Sequence, residues 1–321
     1  MSTENAPSRP DSPVSYAFLG PEGTFAHAAA LDLAAKEDGP VELIGHATVT
    51  QAIDALRAGT VDGAVVPLEN SVEGAVPATL DELSNGTPLV IAAETFLPVI
   101  FQLLARPGLE LADIRTIATH PHAEAQVRRY LLGQVPAARV AMVGSTAGGA
   151  KAAAAGEYDA AVAPPVAGEL YGLTALAHDI ADNHGAVTRF VLLTRPAAPA
   201  PRTGNDRTTL VTYLRADHAG ALLEILSEFG TRGVNLTRIE SRPTKGRIGQ
   251  YCFSIDCEGH ILDARVGDAV AALHRVCADV RYLGSYERQD GRQDPVVIGR
   301  TDADFGASQQ WLAAVRETGT A

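Results

Sequence analysis

The chain has 321 residues, 46% of them apolar and 20% charged, with 26 Lys and Arg against 38 Asp and Glu for a formal charge of −12. That length suits about two domains, and the apolar share is enough for packed cores, which excludes a disordered acidic tail. The negative balance argues against nucleic acid or an anionic membrane as partner; a small anionic substrate stays compatible, because nearby donors outweigh a distant average charge.

Residues 1–13 are polar and rich in Pro and Ser, with no apolar stretch of the kind a signal peptide carries. Residues 90–105 are the most apolar run, but Glu94 and Pro98 interrupt it and it is too short to span a bilayer. Three cysteines, Cys252, Cys257 and Cys277, fit a reducing compartment better than a disulfide framework. A cytoplasmic protein is expected.

In chain order, residues 15–19 read as a strand, 24–35 as a helix, 41–45 as a strand, 49–58 as a helix and 63–66 as a strand stopped by Pro67. A helix over 78–83, strands over 89–92 and 99–104, and a helix over 123–132 follow. A strand at 140–143, an Ala-rich helix at 147–155, a strand at 159–163, a helix at 165–171 and a strand at 188–194 complete the region. Strands alternating with helices mean a mainly parallel α/β sheet. Residues 195–206 are rich in Pro and Ala without periodicity and read as a linker. Beyond it come a strand (208–214), a helix (220–231), two strands (234–241 and 250–257) about a turn at 243–249, a helix (263–278) and a strand (280–286). This βαββαβ order is the ferredoxin-like plan. From residue 288 the chain reads as a polar tail with one amphipathic turn carrying Trp311, Leu312 and Val315.

Three loops in the first region each leave a strand and open a helix: 20–25 (GPEGTF), 67–74 (PLENSVEG) and 144–149 (GSTAGG). Each offers unpaired backbone N–H groups with a hydroxyl or amide beside them, namely Thr24, Asn70, Ser71, Ser145 and Thr146. Helix starts of this kind attract anions, although ordinary capping uses the same residue types. No Gly-Lys-Ser/Thr follows the glycines and no Gly-x-Gly-x-x-Gly is present, so nucleotide cofactors have no support. His120 and His122 lack a further ligand at metal spacing and read as loop histidines, while Cys252 and Cys257 fall on opposite faces of one strand. No metal is expected. Thr188-Arg189-Phe190 joins a hydroxyl to a guanidinium fork suited to a carboxylate; a surface ion pair and a strand cap account for the same two residues, and spacing alone does not choose.

Taken in order, GPEGTF, VPLENSVEG with TLDEL (79–83), THPHAEAQ (119–126), STAGGAK (145–151) and TRF (188–190) resemble prephenate dehydratase. GALL (220–223) and NLTRIESRP (235–243) resemble the ACT regulatory domain that those enzymes carry. The likeness covers about residues 14–287. It implies a two-lobed α/β region similar to type II periplasmic binding proteins over 14–194, with one lobe from 14–89 and 183–194 and the other from 90–182. A linker at 195–206, a ferredoxin-like ACT domain at 207–287 and a tail at 288–321 would follow. The implied reaction turns prephenate into phenylpyruvate, water and CO2 without a cofactor. The resemblance gives Thr188 the catalytic hydroxyl, and Thr24, Asn70, Ser71, Ser145, Thr146, Arg189 and Phe190 the substrate. It gives L-phenylalanine, as feedback effector at a subunit interface of a dimer or tetramer, the residues Gly220, Ala221, Leu222, Asn235, Glu240, Ser241, Arg242 and Pro243. Only a short tail precedes GPEGTF, which reads as the monofunctional form. Two positions depart from the family: Gly185 stands where Asn is common, and His122 where Gln is common. Arogenate dehydratase shares the same motifs, and an inactive aromatic amino-acid sensor of this fold is the reading from another class.

Overall fold

The computed structural model of the chain describes residues 13–244, 251–291 and 298–320. In chain order its elements are β1 (Val14–Leu19), α1 (Phe25–Ala34), β2 (Val41–His46), α2 (Val49–Arg57), β3 (Gly63–Asn70), β4 (Gly74–Ala75), α3 (Pro77–Asn85), β5 (Val90–Pro98) and β6 (Gln102–Ala105). Then come β7 (Thr116–Thr119), α4 (Pro121–Gln134), β8 (Arg139–Met142), α5 (Thr146–Ala154), β9 (Ala160–Ala163), α6 (Pro165–Tyr171), β10 (Thr174–Ala177) and β11 (Val187–Thr194). The remainder is β12 (Asp206–Tyr213), α7 (Ala221–Gly230), β13 (Leu236–Pro243), β14 (Tyr251–Glu258), α8 (Ala264–Val276), β15 (Asp279–Glu287) and α9 (Asp302–Thr318). Two compact units result: Met1–Val65 with Ile100–Asp182, and Val66–Val99 with Asn183–Ala321.

In the first unit β1 runs parallel to β2 and to the first half of β3. Both neighbouring helices bury one stripe: Ala26, Ala29, Ala30 and Leu33 on α1, and Val49, Ala52, Ile53 and Leu56 on α2. The i, i+3, i+4, i+7 spacing puts these four on one face. A second sheet has the order β10-β6-β9-β7-β8. Strands β7, β8 and β9 are parallel and β6 antiparallel. Thr24, Thr48 and Ser145 cap α1, α2 and α5 with side-chain oxygens.

In the second unit β5 and β11 pair antiparallel along their whole length, from Val187 opposite Pro98 to Thr194 opposite Val90. The sheet β13-β14-β12-β15 carries α7 and α8 over a core of Leu210, Ile225, Phe229, Ile255, Val266 and Leu273. This is the expected ferredoxin-like plan; the turn expected at 243–249 lies mostly outside the described residues. The unit boundaries differ from the lobes expected at 14–89 with 183–194 and at 90–182. The physical reason lies in the contacts of 66–99. Besides the β5–β11 ladder, the end of α3 is held by the ferredoxin-like sheet: Tyr213 Oη donates to the Ser84 carbonyl, and Arg281 donates to the carbonyls of Leu83 (2.9 Å) and Gly86 (2.7 Å).

Some elements differ from the sequence expectation. Strand β3 continues through Pro67 to Asn70, since its pairing with β1 ends at Val65 and the missing N–H of Pro67 breaks no bond there. Instead of stopping at residue 92, β5 carries Glu94 in its middle, fully buried among arginines. Strands β7 and β10 fall where no strand was expected, each only four residues long. The tail holds α9, a 17-residue helix whose start is a capping box between Thr301 and Asp304.

Candidate functional site

In the second unit Asn70, at the end of β3, meets Thr188, the second residue of β11. Its Nδ2 donates to Thr188 Oγ1 at 2.7 Å. The amide is not free to turn over, because Oδ1 already accepts from the backbone N–H groups of Val72 (2.8 Å) and Glu73 (3.1 Å). Nδ2, a donor only, therefore faces Thr188, whose oxygen must accept. The hydroxyl proton of Thr188 is thereby left to be given to something else. Ser71 fastens the same loop to the start of β11: its N–H donates to the Val187 carbonyl (2.9 Å) and its Oγ accepts from the Val187 N–H (2.9 Å). Phe190 lies on the Thr188 side of the strand by alternation and is buried.

Arg189 does not join them. Successive side chains of a strand point to opposite faces, so Thr188 and Arg189 cannot serve one site together. Its guanidinium, only 1% exposed, donates to Glu94 (Nε, 2.7 Å), Asp256 (Nη1, 2.5 Å), Glu69 (Nη1, 3.0 Å) and Tyr286 (Nη2, 2.7 Å). The sequence offers Arg189 to the substrate, whereas here four of its five N–H donors are committed to the protein. Burial opposes the charge on Arg189, yet the oxygens of Tyr286, Asp256 and Glu94 around it keep it protonated. Burial likewise pushes the Asp256 carboxyl up, but Arg238 and Arg189 outweigh it and hold the group well below the usual carboxylate range.

Gly185, in the turn before β11, has φ of +86°. That left-handed region suits Gly, and Asn more readily than most other residues. His122 is the second residue of α4 and its N–H donates to His120 Nδ1, the helix cap.

In the first unit the loops at the starts of α1 and α5 adjoin: a Cβ added at Gly23 would stand 3.3 Å from both Ala147 Cβ and a Tyr171 ring carbon. Thr24 and Ser145 are the caps of these helices, accepting from the N–H groups of His27 (3.3 Å) and Gly148 (2.9 Å). Thr24 also gives its proton to the Pro21 carbonyl at 2.9 Å. Ser145 keeps its hydroxyl proton beside Thr146, the first residue of α5. The sequence-selected residues thus form two groups, Thr24, Ser145 and Thr146 in the first unit and Asn70, Ser71, Thr188 and Phe190 in the second.

A separate groove of about 260 Å³ lies at the start of α7, lined by Leu214, Asp217, Gly220, Ser241, Tyr251 and Phe253 among others. Gly220 caps α7 with φ of +93° and no side-chain bond; the Ala221 N–H donates to the His218 carbonyl (3.1 Å), and the first-turn N–H groups after it have no side-chain cap. Ala221 and Leu222 also line it. Of the remaining residues expected there, Asn235, Glu240, Arg242 and Pro243 are not among the lining residues. The pleat accounts for two of them: Ser241 sits opposite Phe253 in the β13–β14 register, whereas Glu240 and Arg242 fall on the other face. Arg242 pairs there with Asp81 of α3 at 2.8 Å. Among the described residues no group of three or more His, Cys, Asp or Glu is arranged to hold a metal, and no helix is long and apolar enough to cross a membrane.

Comparison with known proteins adds the following. A family model described as prephenate dehydratase matches residues 16–198, and one described as ACT domain matches residues 208–275. A prephenate dehydratase of Amycolatopsis methanolica is 49% identical over 301 residues, 94% of this chain and 97% of the relative. The solved structure of prephenate dehydratase from Arthrobacter aurescens in complex with L-Phe is 46% identical, covers 95% of this chain and 100% of its own, and superposes with a TM-score of 0.86. A second structure, GqqA, described as a novel type of quorum quenching acylase, is 32% identical, covers 87% of this chain and 100% of its own, with a TM-score of 0.76.

Proposed function

Since the chain belongs to the prephenate dehydratase family, we propose that it converts prephenate to phenylpyruvate, water and CO2 with Thr188 as the catalytic hydroxyl. The observation that carries this reading is the 2.7 Å bond in which Asn70 donates to Thr188. In the reaction the bond from the ring to its carboxylate breaks and releases CO2. The electrons move into the ring to complete its aromatic system, and the ring hydroxyl departs from the opposite carbon. Aromatisation supplies the driving force, and the leaving oxygen needs a donor as its charge grows. A threonine hydroxyl has no pKa near the working pH and is a weak general acid. A positioned hydrogen bond to the developing charge is a task it does suit. Asn70, accepting from Val72 and Glu73 and donating to Thr188, polarises that hydroxyl and fixes the direction of its proton.

The same bond favours dehydration over acyl transfer, the activity in the name of the GqqA neighbour. A nucleophilic hydroxyl needs an adjacent base to take its proton, whereas Thr188 is held by a donor. Within the first unit, Ser145 and the starts of α1 and α5 offer donors of the type that suits a carboxylate.

L-phenylalanine is the feedback effector in this reading, its carboxylate at the N-terminus of α7, its ammonium near Asp217 and Ser241, and its ring against Leu214, Tyr251 and Phe253. Leu223 (66% exposed) at the groove, Tyr251 (42%) and Ile239 (41%) leave an apolar surface that a second copy of the chain would cover in a homo-dimer or homo-tetramer. A cytoplasmic location goes with this role. The test is release of phenylpyruvate from prephenate by the purified protein, with and without L-phenylalanine, and with arogenate in parallel. Prephenate turnover that falls when phenylalanine is added is the expected result. Activity confined to arogenate would change the substrate, and no turnover of either, with phenylalanine still bound, would make the chain a sensor.

A further inference from the structure

Strands β13 and β14 present different residues to their two faces. Toward α7 stand Ser241 and Phe253, which line the effector groove. On the other face stand Arg238 and Asp256, register partners in the same ladder. Asp256 is fully buried and takes hydrogen bonds from four side-chain donors. Arg238 Nε (3.0 Å) and Arg189 Nη1 (2.5 Å) reach Oδ2, while Arg238 Nη2 (2.9 Å) and Thr209 Oγ1 (2.9 Å) reach Oδ1. Tyr286 of β15 bonds both Thr209 (2.6 Å) and Arg189 Nη2 (2.7 Å). Glu94 of β5 bridges Arg189 (2.7 Å) to Arg207 of β12 (2.6 Å). Arg189 is therefore tied to β5, β14 and β15 at once, and by Glu69 (3.0 Å) to the residue before Asn70.

We infer that Arg189 is a positioning residue: it holds the Thr188 strand and the Asn70 loop in register with the effector-binding sheet, and Asp256 is the joint through which occupancy of the groove reaches Thr188. This rests on the proposed dehydratase function with phenylalanine as effector. Several features recommend the joint over looser contacts. It is buried, so water cannot replace a lost partner. Its bonds are charge-assisted and directional, so β14 cannot shift against β11 without breaking a bond. Through Arg189 it reaches the residue next to Thr188, and it lies on the reverse side of the groove strands. A small displacement of Phe253 and Ser241 on effector binding is then shared with Asp256 on the same strand pair and passed to Arg189. Coupling of two sites is a free energy that both ligands must feel, and a chain of contacts acquires that meaning only when its disruption changes the coupling.

The experiment compares the full-length wild type with Arg189→Lys and Asp256→Asn. For each, kcat and KM for prephenate, the ratio of rates without and with saturating L-phenylalanine, and phenylalanine affinity by calorimetry are measured. Lysine keeps the charge but offers three donors from one atom in place of the planar fork, so Arg189→Lys is expected to lower kcat at least tenfold with KM within about twofold of wild type. Both variants are expected to bind phenylalanine within about threefold of wild type while their inhibition ratio falls at least fivefold, the low end of typical allosteric coupling. If either variant does not fold, Tyr286→Phe, which removes one hydroxyl and no charge, takes its place with an expected two- to threefold loss of the ratio. A raised KM with kcat unchanged in Arg189→Lys would return Arg189 to the substrate and overturn the inference. Folded variants that keep the wild-type inhibition ratio would overturn it too. A wild type that neither turns over prephenate nor responds to phenylalanine would instead overturn the function on which it rests.

Discussion

Exchanging Asn70 for Asp tests the direction of a single hydrogen bond. The new side chain keeps the oxygen that accepts from Val72 and Glu73, at 2.8 and 3.1 Å, so the turn after β3 retains both bonds. It replaces Nδ2, which donates to Thr188 at 2.7 Å, with a carboxylate oxygen that can only accept. The bond reverses: Thr188 must give its proton to the carboxylate and no longer has it for the leaving oxygen of the substrate. Loss of one positioned donor at a developing negative charge costs about 100- to 1,000-fold in kcat, or ~2.7–4 kcal/mol of transition-state stabilisation. Stability should change by less than about 1 kcal/mol, since no backbone donor is orphaned. Asn70→Ala differs in that it frees both N–H groups and should cost about 2 kcal/mol of stability at ~1 kcal/mol per bond. The assay is steady-state release of phenylpyruvate from prephenate, beside urea unfolding of each variant. An Asn70→Asp protein with kcat within about threefold of wild type would refute the argued direction of the bond and the donor role of Thr188.

Asp256→Asn should destabilise the protein by about 3–5 kcal/mol at pH 7, as removal of one partner of a buried ion pair does, measured by urea unfolding. The folded-state pKa of Asp256 is depressed, so its contribution is present above the unfolded value of ~3.9 and is lost as pH falls. The gap between wild type and variant should narrow progressively below about pH 4; a gap that stays constant down to pH 2 contradicts the assignment. Gly185→Asn should leave prephenate turnover within about threefold of wild type, because Asn accepts the positive φ, whereas Gly185→Val should cost at least about 1 kcal/mol of stability. Equal behaviour of the two would show that the backbone conformation is not what fixes this position.

The fold was readable from periodicity wherever a helix buried one stripe or a strand was strongly apolar, as with α1, α2, β1 and the βαββαβ region. It failed for β7 and β10, whose four residues each are too few for a period to register. Periodicity does not reveal the α9 helix, although Thr301 and Asp304 form its capping box, because the composition around it is polar and few large apolar residues follow. Glu94 looked like an interruption of an apolar run, and only the three-dimensional arrangement brings Arg189 and Arg207 to it from positions far away in the chain.

The candidate site divides along the same line. Asn70 and Thr188 were selected separately and stand 118 residues apart, yet they meet at 2.7 Å. Two runs of neighbouring residues divide between strand faces. Thr188 with Arg189, and Ser241 with Glu240 and Arg242, were read as continuous motifs, whereas a strand sends neighbours to opposite faces. Alternation within each motif separates the groove-facing Ser241 from Arg242 and the Thr188 side from the Arg189 side. What no local rule supplies is the destination of the second face, the buried cluster around Asp256.

In the proposed reaction the hydroxyl proton of Thr188 assists departure of the ring hydroxyl of prephenate. Thr188→Val keeps the branched shape and the strand propensity of threonine and removes only the hydroxyl's polar function, so prephenate turnover by this variant beside wild type is the most direct measurement. The kcat of Thr188→Val is expected to fall at least ~100-fold with the unfolding transition retained. A folded Thr188→Val protein that releases phenylpyruvate within about tenfold of the wild-type rate would contradict it.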